Sequence, residues 1–154
     1  MTEKDGRIHL GPGVEFDLIR TLTEGQGPPT PGVILGPGDD CTILEGGIVV
    51  SVDLSVEGIH FRSDWLTTEE IGYRATAAAL SDLAAMAAEP LGVLLSMALP
   101  SSPALDSASS PPGTDAQGLQ RGASRACDRE GVQIIGGDLA GFPGPLALDI
   151  VALG

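Results

Sequence analysis

The side chains in this sequence best suited to chemistry are aspartates. Asp39 and Asp40 sit early in the stretch Gly36–Phe61 (GPGDDCTILEGGIVVSVDLSVEGIHF), and Asp53 lies in its later half. Asp82 stands alone in an Ala-rich run, and Asp138 follows Gly136-Gly137. The apolar runs Cys41–Glu45 and Ile48–Val52 flank Gly46-Gly47, the pattern of a β-hairpin. A two-residue turn at Gly46-Gly47 makes Cys41 face Val52 and Asp40 face Asp53. Side chains so opposed have Cβ atoms about 4.5–5.5 Å apart. Two carboxylates at that range repel by roughly 3–4 kcal/mol at an effective dielectric of ~20. Such a pair either shares a proton or holds a cation. Mg²⁺ suits it, because that ion takes oxygen ligands from one or two carboxylates and from substrate phosphates. The other reading is that these acids merely lie in turns at strand ends, as Asp often does.

The elements that must position these acids are legible in outline. Val14–Thr23 has helical apolar spacing, and Glu24–Gly32 is a Pro/Gly-rich loop. Thr67 and Glu70 form a capping box that starts a helix running to about Ala88. Between Ala75 and Ala88 the only charged residue is Asp82, and both faces around it are largely apolar. This predicts a helix buried nearly all round. A carboxylate inside it must be paired, coordinate a metal, or reach solvent or a neighbouring loop at a helix end or cavity. Leu91–Leu99 reads as a buried strand and Pro100–Asp115 as a long loop. Thr114 can cap a helix from Asp115 to Glu130, which Gly118 and Gly122 weaken and Gly131 stops. Val132–Ile135 is a strand broken by Gly136-Gly137-Asp138, and Pro145–Leu153 is a last strand. Residues 1–154 together read as one domain.

Composition excludes several classes. The formal net charge is −13, from 21 acids against 8 bases. Nucleic-acid and anionic-membrane partners require clustered Lys and Arg, so neither is expected. A phosphorylated ligand must bring cations with it. Cys41 and Cys127 form no zinc motif or disulfide framework and are expected to be reduced, as in the cytoplasm. The first residues lack the apolar core of a signal peptide, and no stretch is long enough for a membrane span. A Walker-type phosphate loop is absent.

Four segments, taken in order, resemble the N-terminal domain of thiamine-monophosphate kinases, in the aminoimidazole ribonucleotide synthetase superfamily. They are GPGDDCTIL, SVDLSVEGIHF, IGYRATAAALSDLAAMAAEP and IIGGD, spanning about Gly36 to Asp138. The resemblance implies an α+β fold, a mixed β-sheet with helices packed on one face, that pairs with its twin in a homodimer. It implies Mg²⁺ as cofactor and ATP as co-substrate, with transfer of a phosphoryl group to thiamine monophosphate to give thiamine diphosphate. Family Mg²⁺ ligands fall on Asp40, Asp53, Asp82 and Asp138, with Ser51 and Val52 beside the metal, Val52 through its backbone carbonyl only. His60 falls on a substrate contact, though a lone His is as readily a satisfied turn or core residue. Gly137 and Asp138 fall on an ATP-binding segment. The sequence departs from the family at Ala87, where Gly is usual, and after Asp138, where Leu139-Ala140-Gly141-Phe142 replaces a Thr-rich turn. It also stops where the family's C-terminal domain would begin, so the chain alone is expected to be inactive. Other readings are a different ATP-using member of the superfamily (a selenophosphate synthetase, a hydrogenase-maturation protein or the purine synthetase), or a non-catalytic Mg²⁺–nucleotide-binding or dimerisation module.

Overall fold

A computed structural model describes residues 13–25, 27, 30–100 and 115–154. The expected lead-in, most of the loop after Pro100 and the expected cap Thr114 lie outside the described residues. The elements are α1 (Val14–Thr23), β1 (Val33–Leu35), β2 (Thr42–Leu44), β3 (Val49–Val56), α2 (Thr68–Ala85), β4 (Gly92–Pro100), α3 (Ala116–Arg129), β5 (Ile134–Phe142) and β6 (Ala147–Leu153).

The strands form one six-stranded mixed sheet in the order β1-β2-β3-β6-β4-β5. Only β4 and β5 pair in parallel, joined through α3 as a parallel pair requires. The other neighbours are antiparallel. Helices α2 and α3 pack on one face of β3, β6, β4 and β5. Alternation along β6 shows which face that is: Leu148, Ile150 and Ala152 are fully buried, and the residues between them are only half-buried. The core includes those three residues with Val93, Leu95, Ile71, Leu83, Leu119 and Leu146. Among the described residues, no aromatic ring except Phe61 belongs to it.

Small residues let the helix layer close. A Cβ built on Gly72 would lie 2.0 Å from the Leu119 carbonyl oxygen, and one on Gly122 would lie 1.9 Å from that of Glu69. The glycines expected to weaken α3 therefore permit backbone-to-backbone contact between α2 and α3. A methyl group at either site would force the helices apart. Across the same junction Arg125 reaches Glu69 at 2.8 Å and Arg129 reaches the Tyr73 hydroxyl at 3.0 Å.

The capping box at the start of α2 is present in full: Thr67 Oγ1 accepts from the Glu70 N–H, and the Glu70 carboxylate accepts from the Thr67 N–H. Helix α3 begins one residue later than expected, at an Asp115 cap whose carboxylate accepts from the Gly118 N–H at 2.9 Å. Two expectations fail. Helix α2 is not buried all round, since Arg74, Ser81, Ala84 and Ala85 are exposed. The strand expected to break at Gly136-Gly137-Asp138 instead runs straight through them, because the backbone of β4 lies against Gly137. A Cβ there would meet the Leu95 carbonyl oxygen at 1.8 Å, so the glycine permits strand pairing rather than ending it.

Helix α2 ends in a Schellman arrangement. The Ala88 N–H donates to the Leu83 carbonyl and the Ala87 N–H to the Ala84 carbonyl, which places Ala87 at φ 54°. That is the left-handed region, where a Cβ costs roughly 1–2 kcal/mol. Ala87→Gly should therefore stabilise the protein by about 1 kcal/mol, measured as a rise in the urea midpoint with unchanged slope. An unchanged or lower midpoint would contradict this origin of strain.

Candidate active site

The hairpin that was to oppose Asp40 and Asp53 forms, one residue out of the expected register. Thr42 pairs with Val50 and Ile43 with Val49, and the Leu44 N–H donates to Ile48 O. The loop is thus the three residues Glu45-Gly46-Gly47, with both glycines at positive φ. A one-residue slip reverses every facing relationship, so Asp40 and Asp53 are not cross-strand partners. Asp39 and Asp40 lie exposed just ahead of β2, where the Asp40 N–H donates to Asp39 Oδ1 at 3.0 Å.

The acids meet through α2 instead. Ser51, 2% exposed, donates its hydroxyl to Asp82 Oδ2 at 2.5 Å, the short distance of a hydroxyl on a carboxylate. Ser51 therefore faces the helix layer, and alternation along β3 puts Asp53 on the same face. Burial pushes the Asp53 carboxyl above the ordinary carboxylate range, and the charge of Asp82 adds to this. Asp149 acts in the same direction, and His60 opposes it. Cys41, 4% exposed, senses the same group: burial raises its thiol pKa, followed by the charges of Asp82, Asp40 and Asp39. Asp82 thus acts on both Asp53 and Cys41, Asp40 acts on Cys41, and no Lys or Arg contributes to either shift.

Asp138 stands apart. It pairs with Ser96 of β4, which pairs with Asp149 of β6, which pairs with Leu54 of β3. These residues line a shallow hollow on the helix-free face of the sheet. Asp138 is therefore three strands from β3, about 14 Å across the sheet, and on the opposite face from Asp53. Val52, 63% exposed, also shows its side chain on the helix-free face. Gly137 and Asp138 are exposed on β5.

Among the described residues, no three His, Cys, Asp or Glu side chains stand close enough to hold one metal ion. The donor set still fits Mg²⁺, an ion often bound by only one or two carboxylates with phosphates and water completing its shell. Asp53 and Asp82 are hard oxygen donors that raise one another's cost with only His60 opposing and no Lys or Arg to offset them, and Ser51 adds a hydroxyl.

His60 is exposed in the turn after β3. Its Nδ1 accepts from the Val56 N–H at 3.0 Å, so Nε2 is the nitrogen that could meet a ligand. Sequence reasoning missed Asp149. Its Oδ1 is buried without a hydrogen-bond partner, beside Ser96 on the helix-free face. The signal was available: a lone acid in the alternating strand PLALDIVAL has the same anomaly as Asp82 in its helix.

A carboxylate raised in the folded state favours folding when protonated. That contribution is full below the unfolded pKa and is lost as pH rises through the folded one. With metal chelated at neutral pH, Asp53→Asn should therefore raise the melting temperature by a few degrees, and the gain should vanish in acid. Thermal melts across pH in EDTA check this; a variant that melts lower than wild type at neutral pH would overturn the assignment of a burial and charge cost at Asp53.

Residues 38–154 match the family model described as AIR synthase related protein, N-terminal domain. Thiamine-monophosphate kinase from Mycobacterium tuberculosis is 34% identical over 128 residues, covering 81% of this chain and 36% of that protein. The Synechococcus elongatus enzyme of the same name is 41% identical over 121 residues, covering 76% and 34%. The chain thus spans about a third of the length of these relatives. Among solved structures, thiamine monophosphate kinase from Aquifex aeolicus superposes with a TM-score of 0.66 at 22% identity, over 90% of this chain and 40% of that one. A structure of AaThiL complexed with AMPPCP and TMP superposes equally well, over 91% and 40%. At that identity the likeness speaks for the fold, a mixed sheet with its helices on one side. The family match over most of the chain, the relatives above 30% identity and the shared fold agree: this chain belongs to the AIR synthase-related family, as its N-terminal domain.

Proposed function

We propose that the protein carrying this domain is a thiamine-monophosphate kinase, using ATP and Mg²⁺ to convert thiamine monophosphate to thiamine diphosphate. The observation that carries the reading is the closeness of Asp53 and Asp82 beside Ser51, with no Lys or Arg acting on Asp53, in a chain whose named relatives are such kinases. In this reading Asp53 and Asp82 would hold Mg²⁺ with Ser51 and the Val52 carbonyl, and Asp40 would serve a second ion. Mg²⁺ bound there would neutralise the phosphates and help align donor and acceptor. His60 offers Nε2 to the thiamine phosphate. Gly137 and Asp138, exposed on the helix-free face, take no part in this reading of the metal and phosphate site. Phosphoryl transfer depends on positioning and electrostatics more than on covalent help, which suits a site with no evident nucleophile. The setting is cytoplasmic.

The assay is ADP release with thiamine monophosphate, run on the 154-residue chain and on the product of its full reading frame. The short chain should show no appreciable turnover, because its few arginines form no phosphate clamp and aligned geometry alone can be worth roughly 7–11 kcal/mol. Millimolar Mg²⁺ should raise its melting temperature by linkage, and Asp82→Asn should remove most of that rise. A wild-type melting point indifferent to Mg²⁺, or a full-length product inactive on thiamine monophosphate, would defeat the reading.

The same reading includes a homodimer through the helix-free face. Val52 and Leu54 there are 63% and 54% exposed, next to the half-buried Val151, and apolar patches of this kind mark association surfaces. A second copy seated on that face would also cover Asp138 and Asp149. Sedimentation at micromolar concentration should give a dimer, and Leu54→Lys a monomer with its melting temperature largely kept. A monomeric wild type would count against this interface.

A further inference from the structure

The ten residues from Glu57 to Leu66 join β3 to the cap of α2. The segment is tied at both ends. Glu57 bridges to Phe61, and the Gly58 N–H donates to the Phe61 carbonyl at 2.8 Å. The Trp65 and Leu66 N–H groups both donate to the Arg62 carbonyl. Phe61, 5% exposed, is anchored in the core, and Leu66 packs against it. Between these anchors the segment presents Ile59 (77% exposed) and Trp65 (72% exposed) to solvent, together with His60 and Arg62. Trp65 is the only tryptophan in the chain.

That tryptophan is braced. The Arg62 guanidinium carbon lies 4.8 Å from the centroid of its ring. The same guanidinium donates through Nε and Nη2 to the two carboxylate oxygens of Asp64, each at 2.9 Å. One face of the indole is therefore fixed by a guanidinium whose charge is largely offset by Asp64. Its other face remains an electron-rich surface, which attracts cationic and flat aromatic groups. A large aromatic held rigid and outward, in the segment that carries His60, is the arrangement of a recognition surface.

We propose that Trp65, braced by Arg62 and Asp64, is a specificity-determining residue on which the cationic heteroaromatic ring of the phosphorylated substrate stacks. This rests on the reading of thiamine monophosphate as substrate with His60 as its phosphate contact. Ring and phosphate of one small molecule are then read by a single ten-residue segment, the ring by Trp65 and the phosphate by His60.

The test uses the emission of Trp65, which no other tryptophan in the chain obscures, alongside equilibrium dialysis, both with Mg²⁺ present. Thiamine monophosphate should quench and shift the emission of the wild-type chain; inorganic phosphate should not. Trp65→Ala should weaken dialysis binding of thiamine monophosphate at least tenfold and Trp65→Phe by less, with inorganic phosphate binding unaffected in both. Since Trp65 is mostly exposed, both variants should melt with wild type. Unchanged affinity in Trp65→Ala would overturn the role of the indole and leave the kinase reading standing. No binding of thiamine monophosphate to the wild-type chain would overturn this inference, whereas the substrate itself is decided by turnover of the product of the full reading frame.

Discussion

The contact between the backbones of α2 and α3 is the constraint on which the arrangement rests. Gly72 and Gly122 let the two helices approach until a Cβ at either position would overlap a carbonyl of the other helix. The close crossing lets a single layer of mostly small side chains cover the sheet. It also fixes α2 over β3 and β6, which brings Asp82 above Ser51. A wider crossing would lift Asp82 from the sheet, and the Ser51 hydroxyl would then be buried without a partner. Packing and chemistry thus meet in one helix, whose glycine and alanine face sets the height of its carboxylate.

The charge distribution follows a second logic. Among the described residues, Arg121, Arg125 and Arg129 all stand on α3. Arg121 lies near Asp115 and Glu69, and Arg125 pairs with Glu69. The acids of Asp40, Asp53 and Asp82 have no such company. Burying Asp53 and setting it beside Asp82 without a Lys or Arg lowers the stability of the metal-free domain, and the raised Asp53 pKa expresses that cost. The arrangement makes sense where a divalent cation and a polyphosphate arrive together. Site and fold therefore have opposite preferences at Asp53.

Much of the fold was legible where local chemistry decides it. The Thr67–Glu70 capping box, the Gly131 stop and the apolar strands depend on neighbours in sequence, and all appear. What failed depends on distant partners. Hairpin register turned on whether the loop held two residues or three, and Gly46-Gly47 is compatible with both. Gly136-Gly137 reads as a break unless one knows that β4 lies against it. The all-round burial expected of α2 mistook an alanine surface for an apolar one that must be covered. Within the candidate site, Asp82 was identifiable because an acid in an apolar helix is anomalous, whereas the position of Asp138 on the far face needed the strand order. The four-segment resemblance carried what single residues could not, including the expectation that Gly belongs where Ala87 adopts a left-handed conformation.

Strand order has a consequence for how this domain comes into being. The strand β6, last in sequence among these elements, lies between β3 and β4 near the middle of the sheet. Within the sheet, β3 and β4 are joined by hydrogen bonds only through it. During synthesis, which proceeds from the N-terminus, β3, α2, β4, α3 and β5 emerge before the strand that joins them exists. Until residues 147–153 leave the ribosome, β3 and β4 each keep an unpaired edge, and α2 covers a split sheet. Such topologies place long-range pairing late and fold slowly, and open edges in that interval invite pairing with other nascent chains. The central strand thus acts as a keystone: the domain gains cooperativity only when its final segment is inserted, and a chain ending a few residues before Leu153 would lose the join between its two halves rather than merely an edge.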